Sequence, residues 1–143
     1  MKTSSRLCYL LGAGLLLLAA CSAGEYQPTA EDKDNYVVGY GRAMLAAADA
    51  SGTTVDEGAT PELLLEALSP SEQDGLVQGG LDVCEALRTE DADDLRQRRV
   101  IHDETSSVAL GGVAVSFEDQ AILAVRHLCP DAEERFEQVR AEL

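Results

Sequence analysis

The fold is decided by the stretch Ser69-Pro-Ser-Glu-Gln-Asp-Gly-Leu-Val-Gln-Gly-Gly-Leu-Asp-Val-Cys-Glu-Ala-Leu-Arg88. Ser69 and Glu72 have the spacing of a capping box, and Pro70 suits the first position of a helix. Apolar residues then recur every one to four positions, which predicts one buried helix face. These residues are Leu76, Val77, Leu81, Cys84 and Leu87. Cys84 is therefore predicted on the buried face of a long helix, where a disulfide can join two helices.

Three glycines, Gly75, Gly79 and Gly80, lie within this predicted helix. Each lowers helix propensity by up to about 1 kcal/mol relative to alanine. A glycine also allows a second helix to approach closely, because it has no side chain. The sequence leaves open whether these glycines mark close helix contact or local fraying.

Two further helices are predicted before this stretch. Thr29 is an N-cap for a helix that ends near Ala50, and Thr60-Pro61-Glu62 begins a short helix after a loop at 51–60. Tyr36 and Tyr40 lie on the apolar face of the first helix. They either line a ligand pocket or pack in the core, and core packing is our prediction.

The region after Arg88 is strongly charged and predicts a short helix over 89–100, in which acidic residues precede basic ones as the helix dipole favours. Its arginines form the only basic patch downstream of residue 20; they are Arg96, Arg98 and Arg99. We expect them to pair with nearby acids rather than to bind a phosphate or an acidic partner. The segment from His102 to Ser107 is predicted to be a loop.

The apolar segment from Val108 to Val115 contains Gly111-Gly112, and its pattern fits either a helix that ends near Gly111 or a β-hairpin. We favour the helix. Ser116 then caps a helix through Cys129, which Pro130 breaks. A last helix over 132–143 is predicted, with Asp131 as its cap. Together these elements predict an all-α bundle of four to six short helices.

The first 20 residues are typical of a lipoprotein signal peptide. Lys2 and Arg6 precede a short apolar run, and Leu18-Ala19-Ala20-Cys21 has the pattern of a bacterial lipobox. The alternatives are an uncleaved anchor or a plain signal peptide. We predict that Cys21 is lipidated, that 21–29 is a tether and that 30–143 is a helical domain on the extracytoplasmic face of the cell membrane.

The charge of the chain excludes some partners. Removing residues 1–20 takes away two of the 11 basic residues and none of the 26 acidic ones, so the net charge of −15 becomes −17. A chain this acidic is repelled by nucleic acid and by anionic lipid headgroups. Nucleic-acid binding is therefore not expected.

Two of the four cysteines remain after cleavage at Cys21 and its acylation. Cys84 and Cys129 are an even pair in an oxidising compartment, which favours a disulfide. Two free thiols and a metal site are the alternatives. No cysteine or histidine spacing typical of a zinc site accompanies the pair.

Two segments, Gly80-Leu-Asp-Val-Cys-Glu-Ala-Leu87 and Ala124-Val-Arg-His-Leu-Cys-Pro130, resemble the DUF732 family of small secreted or lipidated actinobacterial proteins. The resemblance covers roughly 33–130 and implies a small helical envelope domain with its two cysteines bridged. The chain departs from the family pattern at 108–115 and after Pro130. The family carries no established activity, so the resemblance assigns no catalytic residue.

No catalytic motif was recognised. The histidines are His102 and His127, and neither a Gly-x-Ser-x-Gly sequence nor a P-loop is present. His102-Asp103-Glu104 fits a polar loop better than a metal site, and we predict His127 to be partly exposed at a helix end. We therefore predict no enzyme, no catalytic residue, no cofactor and no bound metal.

Two functions fit these observations. The first is an interaction or structural lipoprotein that docks on another envelope component, with an exposed apolar patch near 108–115. The second is a small-ligand or cation-binding lipoprotein. Its ligand occupies a pocket beside Tyr36 and Tyr40, or an acidic cluster takes Ca²⁺.

Overall fold

The computed structural model describes residues 25–54, 58–109 and 113–143, with the side chains of 107–109 left out. These ranges contain six α-helices and a short 3-10 turn, and no β-strand. The helices are α1 (Ala30–Ala50), α2 (Pro61–Glu66), α3 (Pro70–Thr89), α4 (Ala92–Ala109), α5 (Phe117–His127) and α6 (Glu133–Arg140), with the turn at Pro130–Ala132. The predicted all-α bundle is confirmed. Cys21 and the leader lie outside the described residues.

The predicted helix starts are formed by short-range hydrogen bonds. At α1 the Thr29 hydroxyl accepts from the Asp32 amide at 3.2 Å, and the Asp32 carboxylate accepts from the Thr29 amide at 2.8 Å. Ser69 and Glu72 make the same reciprocal pair at α3, with the Ser69 amide donating to the Glu72 carboxylate at 2.7 Å. Each pair satisfies amides that have no partner inside the helix. The caps therefore set where α1 and α3 begin.

The core lies between α1, α3 and α5, and α6 closes one end of it. Its largest fully buried side chains are Tyr36, Phe117, Phe136, Leu87, Leu95 and Leu128. Gly80 lies in tight contact with neighbouring side chains, since an added Cβ would be 2.6 Å from both Leu128 Cδ1 and Tyr36 Cζ. Gly75 has nothing within 4 Å of the same position. Gly80 thus marks close contact, whereas Gly75 faces open space.

A disulfide joins Cys84 of α3 to Cys129 just after α5, as predicted. The two Cα atoms are 5.9 Å apart, and both residues are fully buried. The bridge therefore lies inside the core and fixes α3 against the end of α5.

The predicted loop from His102 to Ser107 is wrong, because α4 continues without a break to Ala109. The Asp103 carboxylate accepts a hydrogen bond from the Phe117 amide at 2.8 Å, and the His102 ring packs edge-on against the Phe117 ring at 5.8 Å. These contacts hold the second half of α4 against the start of α5. A polar composition had suggested a loop, but packing against a distant residue stabilises the helix.

The segment 108–115, for which the sequence left a helix and a β-hairpin open, lies partly outside the described residues. Helix α4 reaches Ala109, residues 110–112 are not described, and 113–116 has no regular secondary structure. Val115 is buried at 1% exposure. This end of the predicted exposed apolar patch therefore belongs to the core.

The prediction that Asp131 caps the last helix is wrong. α6 begins at Glu133, after the 3-10 turn, and no side chain caps it. Asp131 instead accepts hydrogen bonds from the Arg88 guanidinium at 3.0 and 3.1 Å. α5 also ends at His127, two residues before the predicted end at Cys129.

Candidate functional site

A groove of about 650 Å³ lies between α3, α4 and α5. It exists because α4 packs against α5 but makes little contact with α3. Gly79, Asp82 and Val83 form the α3 wall, and Phe117 and Gln120 of α5 form the floor. The α4 side is contributed by Asp94, Gln97, Arg98, Ile101 and His102, and Glu90, the C-cap residue of α3, completes the lining. A volume of this size is within the range of ligand sites in proteins.

The floor of the groove contains a buried polar residue. Gln120 is 6% exposed, and its Nε2 donates to the Tyr36 hydroxyl at 3.3 Å. Its Oε1 is buried and has no hydrogen-bond partner among the described residues. An unpaired buried acceptor costs about 1–3 kcal/mol. The floor thus carries an acceptor that lacks a donor.

Gly79 makes room for this amide. A Cβ at position 79 would lie 3.3 Å from Gln120 Nε2, so a larger residue would press on the side chain. Of the two alternatives that the sequence left open for the α3 glycines, close contact is therefore found here as well as at Gly80. Both places bring α3 close to the buried network of Tyr36 and Gln120.

The rim of the groove is negatively charged. The Arg98 guanidinium donates to the Glu90 carboxylate, which lowers the pKa of Glu90 and raises that of Arg98. The charges of Arg98 and Glu90 therefore cancel each other. The remaining carboxylates of the lining are Asp82 on α3 and Asp94 on α4, both exposed to solvent. A cation entering the groove therefore meets one acid on each wall.

The middle of α4 is the exposed wall of the groove. Leu95 is fully buried and anchors the start of the helix, and Asp103 anchors its second half on the Phe117 amide. Between these anchors, Val100 is 51% and Ile101 is 53% exposed. Ile101 lines the groove, so the groove has an apolar edge that is open to solvent.

The arginines of α4 pair internally, as the sequence predicts. Arg96 contacts Asp93 at 2.6 Å, Arg99 contacts Asp103 at 3.6 Å, and Arg98 is held by Glu90. All three pairs lie at the surface, where such pairs contribute little stability.

The tyrosines of α1 are core residues. Tyr36 is fully buried, and this burial raises its pKa to about 12. Tyr40 is 8% exposed, and burial raises its pKa as well. The predicted core packing is confirmed. The groove reaches them only through the Tyr36 hydroxyl, which contacts Gln120.

The histidines have separate environments. His102 lies in the groove wall, with Nδ1 3.3 Å from Asp103 Oδ1, and Asp103 serves as a hydrogen-bond acceptor for α5. His127 is the last residue of α5 and is partly buried; burial, followed by the charge of Arg126, lowers its pKa. Across the described ranges, no group of three or more His, Cys, Asp and Glu could hold a metal ion.

The segment before α1 contacts the domain. Arg88 pairs with Glu25 at 3.0 Å, and the Tyr26 hydroxyl donates to Asp32 at 2.7 Å. That hydrogen bond, together with those from Thr29, lowers the pKa of Asp32. The last part of the predicted tether is therefore fixed to the helices. Within the described part of the chain, no helix is long and apolar enough to cross a membrane.

Gln120 is the site residue that sequence reasoning missed. It stands three residues after Phe117 and next to Ala121, so a polar side chain interrupts the apolar face of α5. This polar residue within an apolar helix face is the signal in the sequence that could have identified Gln120. The groove itself depends on how α4 is placed relative to α3, which no local pattern encodes.

The chain matches no protein-family description, curated protein or solved structure. The resemblance stated from the sequence therefore rests on its two short segments alone.

Proposed function

We propose that this protein is a lipid-anchored, non-catalytic binding module on the extracytoplasmic face of the cell membrane, and that a partner protein of the envelope docks in the groove between α3, α4 and α5. Cys21 is the lipidated residue in this proposal, and membership of the DUF732-like lipoproteins is part of it. The observation that carries it is the groove, with an exposed apolar edge at Ile101 and a carboxylate on each wall.

The open side of the groove favours a protein partner. Small-ligand sites bury 70–90% or more of the ligand surface. Here Ile101 is half exposed while it lines the groove, so a small molecule would remain partly in solvent. A protein segment covers such an edge with its own surface and removes the apolar area from water.

The short length of chain between Cys21 and the domain supports a partner close to the membrane. Since Glu25 and Tyr26 contact the domain, only 21–24 remains between the lipid site and the first contact. Four extended residues reach about 14 Å. The domain then stays near the bilayer surface, where other anchored envelope proteins lie.

Site-specific cross-linking in the producing cells tests this function. A photo-reactive residue at Gln97, which lines the groove, should capture one recurrent partner. The same residue at Glu134, exposed on α6, is the matched control and should not capture it. Equal capture from both positions, or capture from neither, would contradict the docking role of the groove.

A second candidate is a small-ligand lipoprotein, favoured by the groove volume of about 650 Å³. Its ligand would occupy this groove rather than a pocket beside the buried tyrosines. A thermal-shift screen of lipids, haem and metal ions tests it, because a bound ligand raises the melting temperature. If no compound changes the melting temperature and a protein is captured from Gln97, the small-ligand function is rejected.

A further inference from the structure

We propose that the groove binds a basic amphipathic segment of the partner, whose apolar residues cover Ile101 while its Lys or Arg side chains reach Asp82 and Asp94. This inference rests on the docking function proposed above and adds the chemistry of the partner. It is drawn from two properties of the groove: its charge and its open apolar edge.

The charge of the groove selects a cation. Arg98 is held by Glu90 in a charge-neutral pair, so Asp82 and Asp94 leave the lining net negative. They stand on opposite walls, one on α3 and one on α4, and a segment lying between the walls can pair with both. The net charge of −17 for the chain without residues 1–20 adds attraction for basic partners and repels acidic ones.

The hydrogen-bonding groups of the groove also favour a basic partner. The two exposed rim carboxylates, on Asp82 and Asp94, are acceptors, so a partner in the groove must offer them donors. Lysine and arginine head groups are donors only. Their long aliphatic stems can pass along an apolar wall while the head group reaches a polar atom. A carboxylate or phosphate on the partner would instead add a further acceptor.

The open edge of the groove indicates an amphipathic segment rather than a small organic cation. Val83 and Phe117 are buried in the lining, whereas Ile101 keeps 53% of its surface in water. A helix with apolar residues three and four positions apart covers such an edge, as in helix-in-groove recognition. A small cation would satisfy the carboxylates but leave Ile101 exposed.

The test uses the native lipoprotein in nanodiscs of zwitterionic lipid, with empty nanodiscs as the blank. The probe is a fluorescent amphipathic peptide of about 14 residues built from leucine and lysine, compared with a peptide in which glutamate replaces lysine. We expect the lysine peptide to bind, and the glutamate peptide to bind at least tenfold more weakly. Anisotropy at physiological ionic strength measures both.

A pair of double variants separates groove binding from general attraction. Asp82→Asn with Asp94→Asn should weaken lysine-peptide binding about fivefold to tenfold, since it removes two ion pairs. Asp34→Asn with Asp49→Asn changes the net charge equally on α1, which does not line the groove, and should change binding less than twofold. Equal losses in both variants would overturn the proposal.

Three further outcomes also test the proposal and the docking function on which it rests. Binding of octylamine but not of the peptide would assign the groove to small organic cations and overturn the proposal. If Gln97 captures a partner in cells but the captured segment is not basic, the charge inference fails while the docking function stands. If Gln97 captures nothing, the docking function itself fails.

Discussion

Alanine at Gly80 should destabilise the domain, whereas alanine at Gly75 should stabilise it. Both positions lie within α3, so each substitution gains helix propensity of up to about 1 kcal/mol. The surroundings differ. At position 80 the new methyl group would lie 2.6 Å from Tyr36 Cζ and from Leu128 Cδ1, and both side chains are fully buried.

The size of the effect follows from these distances. Carbon atoms at optimal contact are about 3.5–4.0 Å apart, so each neighbour must move by about 1 Å. Overpacking of this kind costs about 1–3 kcal/mol. After the propensity gain, Gly80→Ala should lower the free energy of unfolding by up to about 2 kcal/mol. Gly75→Ala meets nothing within 4 Å and should raise it by about 0.5–1 kcal/mol.

Urea unfolding of the purified protein, followed by circular dichroism, measures both variants. The midpoints should move in opposite directions, with the slope of free energy against urea unchanged. If Gly80→Ala raised the midpoint as much as Gly75→Ala, α3 would not approach Tyr36 and Leu128 as closely as described. The comparison also resolves the two interpretations of the glycines, because a frayed helix gains from alanine at either position.

Three other predictions concern the disulfide and the titrating side chains. Replacing Cys84 and Cys129 by alanine should lower the free energy of unfolding by about 4 kcal/mol, because the bridge closes a loop of 45 positions; equal urea midpoints would contradict this. Burial lowers the pKa of His127, so the unfolded chain binds the proton more readily. Stability should therefore fall as the pH drops below 6.5, and His127→Gln should reduce that slope. Burial raises the pKa of Tyr36 to about 12 and also raises that of Tyr40, so stability should fall above pH 10.0. Tyrosinate absorbance from these rings should then develop together with unfolding, and its appearance in the folded protein near pH 10.0 would contradict their burial.

The parts of the fold that sequence predicts are those fixed by neighbours along the chain. The caps of α1, α2, α3 and α5 bond to amides three residues away, so the starting residues were visible as local patterns. The disulfide followed from the even number of cysteines left after Cys21. Apolar spacing placed Phe136 and Val139 of α6 on its inner face, and both are buried.

The parts that sequence did not predict depend on residues far away in the chain. Asp103 bonds to an amide 14 positions on, and Asp131 pairs with Arg88, 43 positions back. The Gln120 amide bonds to Tyr36 across 84 positions. A polar residue at a cap position and one that pairs across the fold have the same local sequence signature. Composition alone therefore assigned Asp131 to a cap and the residues around Asp103 to a loop.

The groove follows from how α4 is attached. Leu95 fixes the helix near its start. Eight residues later, Asp103 and His102 fix it against α5, so the segment between these two contacts does not pack against α3. Ile101 consequently keeps about half of its surface in water. Covering that half would gain roughly 1 kcal/mol. This gain is absent from the free protein and becomes available only when a partner occupies the groove, which is why this surface is the best candidate for the binding site.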